Sequence, residues 1–226
     1  DQDFVVGNKG LNNFINPTNA EPIYIYTKDF DDNGKVDPIM AGYILNGESK
    51  DLYPLQSRDD IMRQLPKLKK KYPSYKDFSE ANFTSLLGIK QLNSCTLKAT
   101  MGHSIFVENL GDGQFRVKAL PGDAQQAPIN DILVDDINGD KILDLILVGN
   151  DYYAEATYGR QDAFNGLLLE GSLSHGFQVQ SLTKSGLYIP YQSNNIIAMK
   201  KDKILTIVAG QNNNRLQLFQ NNLKDE

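Results

Sequence analysis

Cysteine is almost absent from this sequence, since Cys95 is the single cysteine among 226 residues. An internal disulfide is therefore excluded, and a lone cysteine is more often a small buried hydrophobe than a nucleophile. No run of 18 or more apolar residues occurs, so no transmembrane helix is predicted. Basic residues dominate no stretch except Lys67 to Lys71, and the formal net charge is −5. We therefore expect no nucleic-acid partner.

Catalytic signatures are also scarce. The two histidines, His103 and His175, lie far apart and belong to no His-x-x-x-His motif, so a zinc site is not expected. The Gly-x-Ser-x-Gly nucleophile motif and the glycine-rich phosphate-binding loop are both missing. The sequence by itself thus predicts no catalytic residue.

Two nine-residue segments, 29–37 and 136–144, carry oxygen-bearing side chains at positions 1, 3, 5 and 9. These residues are Asp29, Asp31, Asn33 and Asp37 in the first segment, and Asp136, Asn138, Asp140 and Asp144 in the second. A hard cation such as Ca²⁺ takes about six to eight oxygen ligands. A loop with ligands on alternate residues can surround such an ion, and the main-chain carbonyls of Lys35 and Ile142 at position 7 would add a ligand each. We predict two Ca²⁺ sites; the alternative is a pair of plain Asp/Asn/Gly turns.

The EF-hand is the competing calcium motif, and it requires a glutamate at position 12 between two helices. Position 12 is Met40 in the first segment and Leu147 in the second. Both residues lie inside apolar runs that are typical of strands. The EF-hand is therefore rejected.

Each acidic segment leads into an apolar strand that contains a glycine near its end, and this unit recurs. The glycines are Gly7, Gly42, Gly149 and Gly210. Residues 1–8 are interpreted as the tail of a third copy, with Asp3 at position 9, which predicts that the chain is a fragment of a longer repeat protein. A fourth copy near the end has lost its carboxylates. The last interval, about 60 residues, suits a four-stranded propeller blade.

Residues 57–88 differ from the rest of the chain because their pattern is helical. Ser57 and Ser74 can cap helices, each with an aspartate three residues later, and Gly88 is a natural stop. Pro66 is expected to interrupt the first helix. We therefore predict a mainly β protein. Residues 1–226 form one partial β-propeller domain, part of a larger propeller, with a small helical insert at 57–88.

The repeated unit resembles the FG-GAP/VCBS repeat, in which a strand, an Asp-x-Asp/Asn-x-Asp/Asn-x-x-x-Asp loop and a second strand ending in Gly-Asn follow one another. Residues 6–13 (Val-Gly-Asn-Lys-Gly-Leu-Asn-Asn) and 159–163 (Gly-Arg-Gln-Asp-Ala), with Phe177 and residues 185–187, are similar to VCBS-repeat proteins of Bacteroidetes-type bacteria, which often also carry ASPIC/UnbV modules. The resemblance implies a calcium-binding β-propeller and an exported protein. An extracytoplasmic location is expected, where millimolar calcium fills such sites. No signal peptide is recognisable at the start of the sequence.

Two hypotheses for function follow. The first is a calcium-stabilised module that binds a protein or glycan without catalysis of its own. The second is a glycan-active enzyme similar to polysaccharide lyases, some of which use calcium propellers. Tyr158, Arg160 and Asp162 are the candidate ligand-binding residues, because tyrosines beside Asp and Arg can stack on a sugar and bond its hydroxyls. The alternative is that Arg160 and Asp162 only tie down their own loop.

Overall fold

The computed structural model describes residues 2–90, 95–154, 158–202 and 204–222. The chain is mainly β, with 40% of its residues in strands and 15% in helices, which confirms the predicted class. Its sheets are antiparallel, and none of them closes on itself. The described helices are all too short or too polar to cross a bilayer.

The strands and helices have the following bounds. In chain order they are β1 (Phe4–Val6), β2 (Ile23–Lys28), β3 (Asp37–Asn46), β4 (Ser49–Pro54), α1 (Arg58–Gln64), α2 (Tyr75–Ser79), α3 (Phe83–Leu87), β5 (Cys95–Ala99), β6 (Ile105–Gly111), β7 (Gln114–Ala119), β8 (Ile129–Asp135), β9 (Asp144–Gly149), β10 (Leu167–Glu170), β11 (Gln178–Val179), α4 (Leu182–Ser185), β12 (Ser193–Lys201), β13 (Ile204–Gln211) and β14 (Gln217–Asn222). Short 3₁₀ segments cover Pro66–Lys70 and Gly122–Gln125. The chain divides into two compact units: unit 1 is Asp1–Phe14 with His103–Glu226, and unit 2 is Ile15–Gly102.

Unit 1 contains three sheets, which we call the N-sheet (β1-β6-β7), the middle sheet (β8-β9-β10-β11) and the C-sheet (β12-β13-β14). The middle sheet is covered on both faces, because alternate residues of β9 belong to two different core clusters. Leu145 and Leu147 share a core cluster with Val5 and Phe106 of the N-sheet. Ile146 and Val148 share another cluster with residues of the C-sheet, including Ile196 and Leu205. A strand buried on both faces needs apolar residues at every position, which explains the unbroken run after Asp144.

The outer faces of the N-sheet and the C-sheet are apolar and exposed. Because successive side chains of a strand point to opposite faces, residues that alternate with the buried ones face away from the middle sheet. They are Phe4, Val6, Phe115 and Val117 on the N-sheet, and Ile197, Met199 and Leu218 on the C-sheet; each is 45–63% exposed. Apolar patches of this kind mark surfaces that bind other protein.

Unit 2 packs its helices on one four-stranded sheet of order β4-β3-β2-β5. Its core is centred on Tyr26, whose ring centre lies 4.2 Å from that of Phe83 of α3. Ser57 caps α1, and Ser74 forms a reciprocal capping box with Asp77 at the start of α2. The helices α1 to α3 thus lie within residues 57–88, where the sequence predicts helical structure.

Two features of the fold are not predicted by the sequence analysis. Residues 43–56 form most of the β3–β4 hairpin around a turn at Gly47, whose φ is +65°. In addition, β1 pairs with β6 rather than with a strand close to it in sequence, because the whole of unit 2 lies between them in the chain.

Candidate metal centres and tyrosine surface

The first nonapeptide connects β2 to β3 and is organised by its own side chains. Asp29 at position 1 accepts hydrogen bonds from the N–H groups of Asn33 (3.0 Å) and Gly34 (2.7 Å). Burial acts to raise the pKa of Asp29, but the backbone N–H groups that surround the carboxylate outweigh it and hold the pKa below its usual value. The loop therefore favours a charged aspartate at position 1.

The second nonapeptide connects β8 to β9 and reproduces the same internal bonds. In both loops the N–H at position 5 and the N–H at position 6 donate to position 1, the N–H at position 7 donates to position 5, and the N–H at position 2 donates to position 9. In the first loop Asn33 and Gly34 donate to Asp29, Lys35 donates to Asn33, and Phe30 donates to Asp37. In the second loop Asp140 and Lys141 donate to Asp136, Ile142 donates to Asp140, and Ile137 donates to Asp144. Two segments 107 positions apart thus form one motif, which a random acidic turn would not explain.

The backbone of the two loops is also alike where it is unusual. Positions 4 and 6 both have a positive φ: +59° at Asp32 and +84° at Gly34 in the first loop, +85° at Gly139 and +70° at Lys141 in the second. Left-handed residues other than glycine, asparagine and aspartate are uncommon. The loops place their single glycine at different positions, yet they keep the same path.

The first loop brings three carboxylates to one point. Ligand oxygens of Asp29, Asp31 and Asp37 all lie within 4.8 Å of one another. Two oxygens that bind one calcium ion at about 2.4 Å can be at most about 4.8 Å apart, so this spacing fits a shared ion. The Oδ1 atom of Asp31 is buried and has no hydrogen-bond partner within the described part of the chain. A buried, unpaired carboxylate oxygen is costly unless a cation reaches it.

The second loop differs at position 3, where Asn138 replaces an aspartate. The Asn138 amide donates to Asp140 Oδ2 at 3.1 Å, and the described residues of this loop do not gather three carboxylates as closely as the first loop does. Asp144 at position 9 is fully buried and accepts from Ile137 and Gly171, both at 2.9 Å. Burial raises the pKa of Asp144 above its usual value; the hydrogen bonds from Gly171 and Ile137 oppose this, and the nearby charge of Asp140 adds to it. The hydrogen bonds that Asp144 accepts therefore do not fully offset the cost of burying its charged carboxylate.

The sequence predicts two further copies of the unit. Asp3, which is the predicted position 9 of one copy, accepts a hydrogen bond from Asn109 N–H at 2.8 Å, as Asp144 does from Gly171. In the fourth copy, Lys201 of β12 pairs directly with Ile204 of β13. Two residues between paired strands leave no space for the nonapeptide.

Tyr158, Arg160 and Asp162 all lie exposed on unit 1. The guanidinium carbon of Arg160 lies 5.1 Å from the ring centre of Tyr152, a cation–π distance. An isolated bridge between Asp151 and Gln161 holds the segment that carries Arg160 and Asp162. The three candidates line neither the cleft of about 990 Å³ beside Phe106 and His175 nor the cleft of about 200 Å³ beside Phe164.

Sequence reasoning missed several residues of these sites. The donor Gly171 lies 27 positions beyond Asp144, and no local pattern links them. Tyr152 is bonded to Pro190 and Gln192, which brings the loop that carries Tyr188 and Tyr191 to this segment. Only the pairing of the strands brings these residues together.

Comparison with known proteins gives no family assignment. This chain matches no protein-family model, no curated protein and no solved structure at a significant level.

Proposed function

We propose that this protein is a calcium-stabilised, non-catalytic binding module of FG-GAP/VCBS-like repeats that works outside the cytoplasm. The shared hydrogen-bond pattern of the two nonapeptides carries the proposal. Both loops fix a carboxylate at positions 1 and 9 with backbone N–H groups, which leaves other oxygens of the loop for a cation. A propeller formed with further repeats is part of the same proposal.

The ligands that the residues could supply fit calcium better than a softer metal. Carboxylate, amide and main-chain carbonyl oxygens suit hard cations, whereas zinc sites in proteins use mainly Cys and His. Asp29, Asp31, Asn33, Asp37 and the carbonyl of Lys35 would hold the first ion. Asp136, Asn138, Asp140, Asp144 and the carbonyl of Ile142 would hold the second after rotation of the Asn138 amide. Each ion would neutralise clustered carboxylates and fix a strand-to-strand connection.

The surface of unit 1 favours binding over catalysis. The apolar outer faces of the N-sheet and the C-sheet are suited to contact with other protein. The candidate residues Tyr158, Arg160 and Asp162 are exposed and line neither of the two clefts described above, whereas an enzyme site is usually a concave pocket. The polysaccharide lyase hypothesis is therefore the less favoured one. It predicts release of unsaturated, ultraviolet-absorbing products from an acidic polysaccharide, which the binding module would not produce.

We expect calcium to raise the melting temperature of the wild-type protein after treatment with EDTA. The physical reason is linkage: a ligand that binds only the folded state stabilises it by roughly 2.7 kcal/mol per site at a hundredfold excess over Kd. Differential scanning calorimetry with EDTA and then with a calcium titration measures the rise. In the Asp136→Ala/Asp144→Ala double variant, calcium should raise the melting temperature only by the amount that the first loop contributes. An unchanged melting temperature at millimolar calcium would mean that the loops are only acidic turns.

A further inference from the structure

Two loops of unit 1 are joined through Tyr152. Its hydroxyl donates to the carbonyl of Pro190 at 3.2 Å, and its main-chain N–H donates to Gln192 Oε1 at 3.1 Å. The buried side chain of Asn150 donates to the carbonyls of Pro190 (3.3 Å) and Tyr191 (3.4 Å). These bonds fix residues 150–152 against residues 190–192.

The junction presents aromatic rings next to charged groups. Tyr188 and Tyr191 are 49% and 45% exposed, and Arg160 lies over the ring of Tyr152. Burial raises the pKa of Tyr152, and the negative charge of Asp162 raises it further, which places Asp162 near this ring. We call Tyr152, Arg160, Asp162, Tyr188 and Tyr191 the tyrosine surface.

Four members of the tyrosine surface have polar groups without a hydrogen bond to the described residues, whereas the hydroxyl of Tyr152 is bonded to Pro190. Across the described residues, the Arg160 guanidinium and the Asp162 carboxylate take part in no hydrogen bond or ion pair, and the hydroxyls of Tyr188 and Tyr191 make no hydrogen bond. No hydrogen bond or ion pair within the described residues favours the alternative in which Arg160 and Asp162 only fasten their own loop. The contact of Arg160 with the ring of Tyr152 is the one interaction that would serve it there.

A carbohydrate matches this combination of groups. Each sugar ring has an apolar face of C–H groups that can lie on an aromatic ring, and its hydroxyls both donate and accept hydrogen bonds. Arg160 can only donate, Asp162 in its charged form can only accept, and adjacent hydroxyls can serve both. Their opposite charges cancel, so the surface does not select for a charged ligand.

We propose that the tyrosine surface binds a neutral hexose oligosaccharide. Tyr188 and Tyr191 provide the stacking platform, while Arg160 and Asp162 bond the hydroxyls. Tyr152 positions the surface because its hydroxyl and ring are already engaged by Pro190 and Arg160. The inference rests on the proposed binding function, since it names the class of ligand that such a module would take.

Calorimetric titration with four hexasaccharides tests the inference: cellohexaose, laminarihexaose, mannohexaose and maltohexaose. Because the chain has no tryptophan, its intrinsic fluorescence comes from tyrosine and gives an independent readout. At least one of the four should bind and change the tyrosine emission. Tyr188→Ala and Arg160→Ala should each weaken that binding by about five- to tenfold, the loss expected for one ring contact or one charged hydrogen-bonding group.

Two matched variants separate the site from general damage. Tyr188→Phe keeps the ring and should bind within about threefold of wild type, since only a hydroxyl contact is lost. Arg116→Ala removes an exposed arginine that pairs with Glu108 on the N-sheet and should bind like wild type. Absence of binding by all four sugars at millimolar concentrations would overturn the inference, as would binding that Tyr188→Ala and Arg160→Ala leave unchanged.

The calcium melts of the same samples keep the two proposals distinguishable. Stabilisation by calcium without sugar binding overturns the glycan site and leaves the calcium-stabilised module standing. Sugar binding without any calcium effect supports the glycan site and removes the proposed role of the metal.

Discussion

Replacement of Asp144 with alanine is expected to lower the free energy of unfolding in calcium by about 3–5 kcal/mol. The variant loses a metal ligand at position 9 and leaves the N–H groups of Ile137 and Gly171 without their acceptor. Each buried donor without a partner costs about 1–3 kcal/mol. Urea denaturation, followed by circular dichroism, measures the change.

The control for this variant is Asp3→Ala, because Asp3 lies just before β1 of the N-sheet and is the predicted position 9 of another copy of the unit. Asp3 accepts an exposed hydrogen bond from Asn109. We expect Asp3→Ala to lower the free energy of unfolding by less than about 1 kcal/mol, and by the same amount in calcium and in EDTA. If the cost of Asp144→Ala were also the same in calcium and in EDTA, the residue would have only a structural role.

The pH dependence of the calcium effect follows from the raised pKa of Asp144. Without metal, the protonated form suits the buried position, so the contribution of this group to stability is present below its unfolded pKa and is lost as the pH rises through its folded pKa. Calcium binds the charged carboxylate and reverses this loss. The stabilisation by calcium should therefore shrink as the pH falls through the acidic range.

Gly149→Ala is the second substitution with a large expected effect. We expect it to lower the free energy of unfolding by about 2–4 kcal/mol. A Cβ atom at this position would lie 1.8 Å from the carbonyl oxygen of Pro128. That oxygen accepts a hydrogen bond from Asn150 N–H at 3.0 Å, so the chain cannot move away without losing the bond. Chemical denaturation reports the loss, and the two-dimensional NMR spectrum shows whether the fold is retained.

Gly210→Ala provides the comparison, because Gly210 also lies near the end of an apolar strand, β13 of the C-sheet. Its added Cβ would meet nothing closer than 3.7 Å, at Asn195. The free energy of unfolding is expected to change by less than about 1 kcal/mol. An increase is also consistent with the structure, since alanine restricts the unfolded chain. Equal effects at the two glycines would show that the close approach of Pro128 to Gly149 does not occur.

Local patterns in the sequence predict the parts of this fold that depend on neighbouring residues. The apolar run after Asp144 predicts a strand, and β9 confirms it. The two core clusters that meet at β9 show in addition that this strand is covered on both faces. Ser57, Ser74 and Gly88 mark helix ends because capping involves residues within one turn. The alternating oxygen side chains of the nonapeptides likewise form local bonds within each loop.

Long-range pairing explains what the sequence does not predict. β1 joins β6 across the whole of unit 2, and nothing near residue 4 indicates that partner. The tyrosine surface combines Tyr152 with Tyr188 and Tyr191 through hydrogen bonds to main-chain carbonyls, which any residue provides. The sequence therefore indicates Tyr158, Arg160 and Asp162 but not Tyr188 and Tyr191.

Calcium stoichiometry tests the central claim most directly. After removal of metal with EDTA, native mass spectrometry and calorimetric titration should find two calcium ions bound per chain. Asp136→Ala/Asp144→Ala should remove one ion and Asp29→Ala/Asp37→Ala the other, because each pair takes positions 1 and 9 from one loop. Absence of binding at millimolar calcium, or two ions retained in both double variants, would contradict the assignment of the nonapeptides as calcium sites.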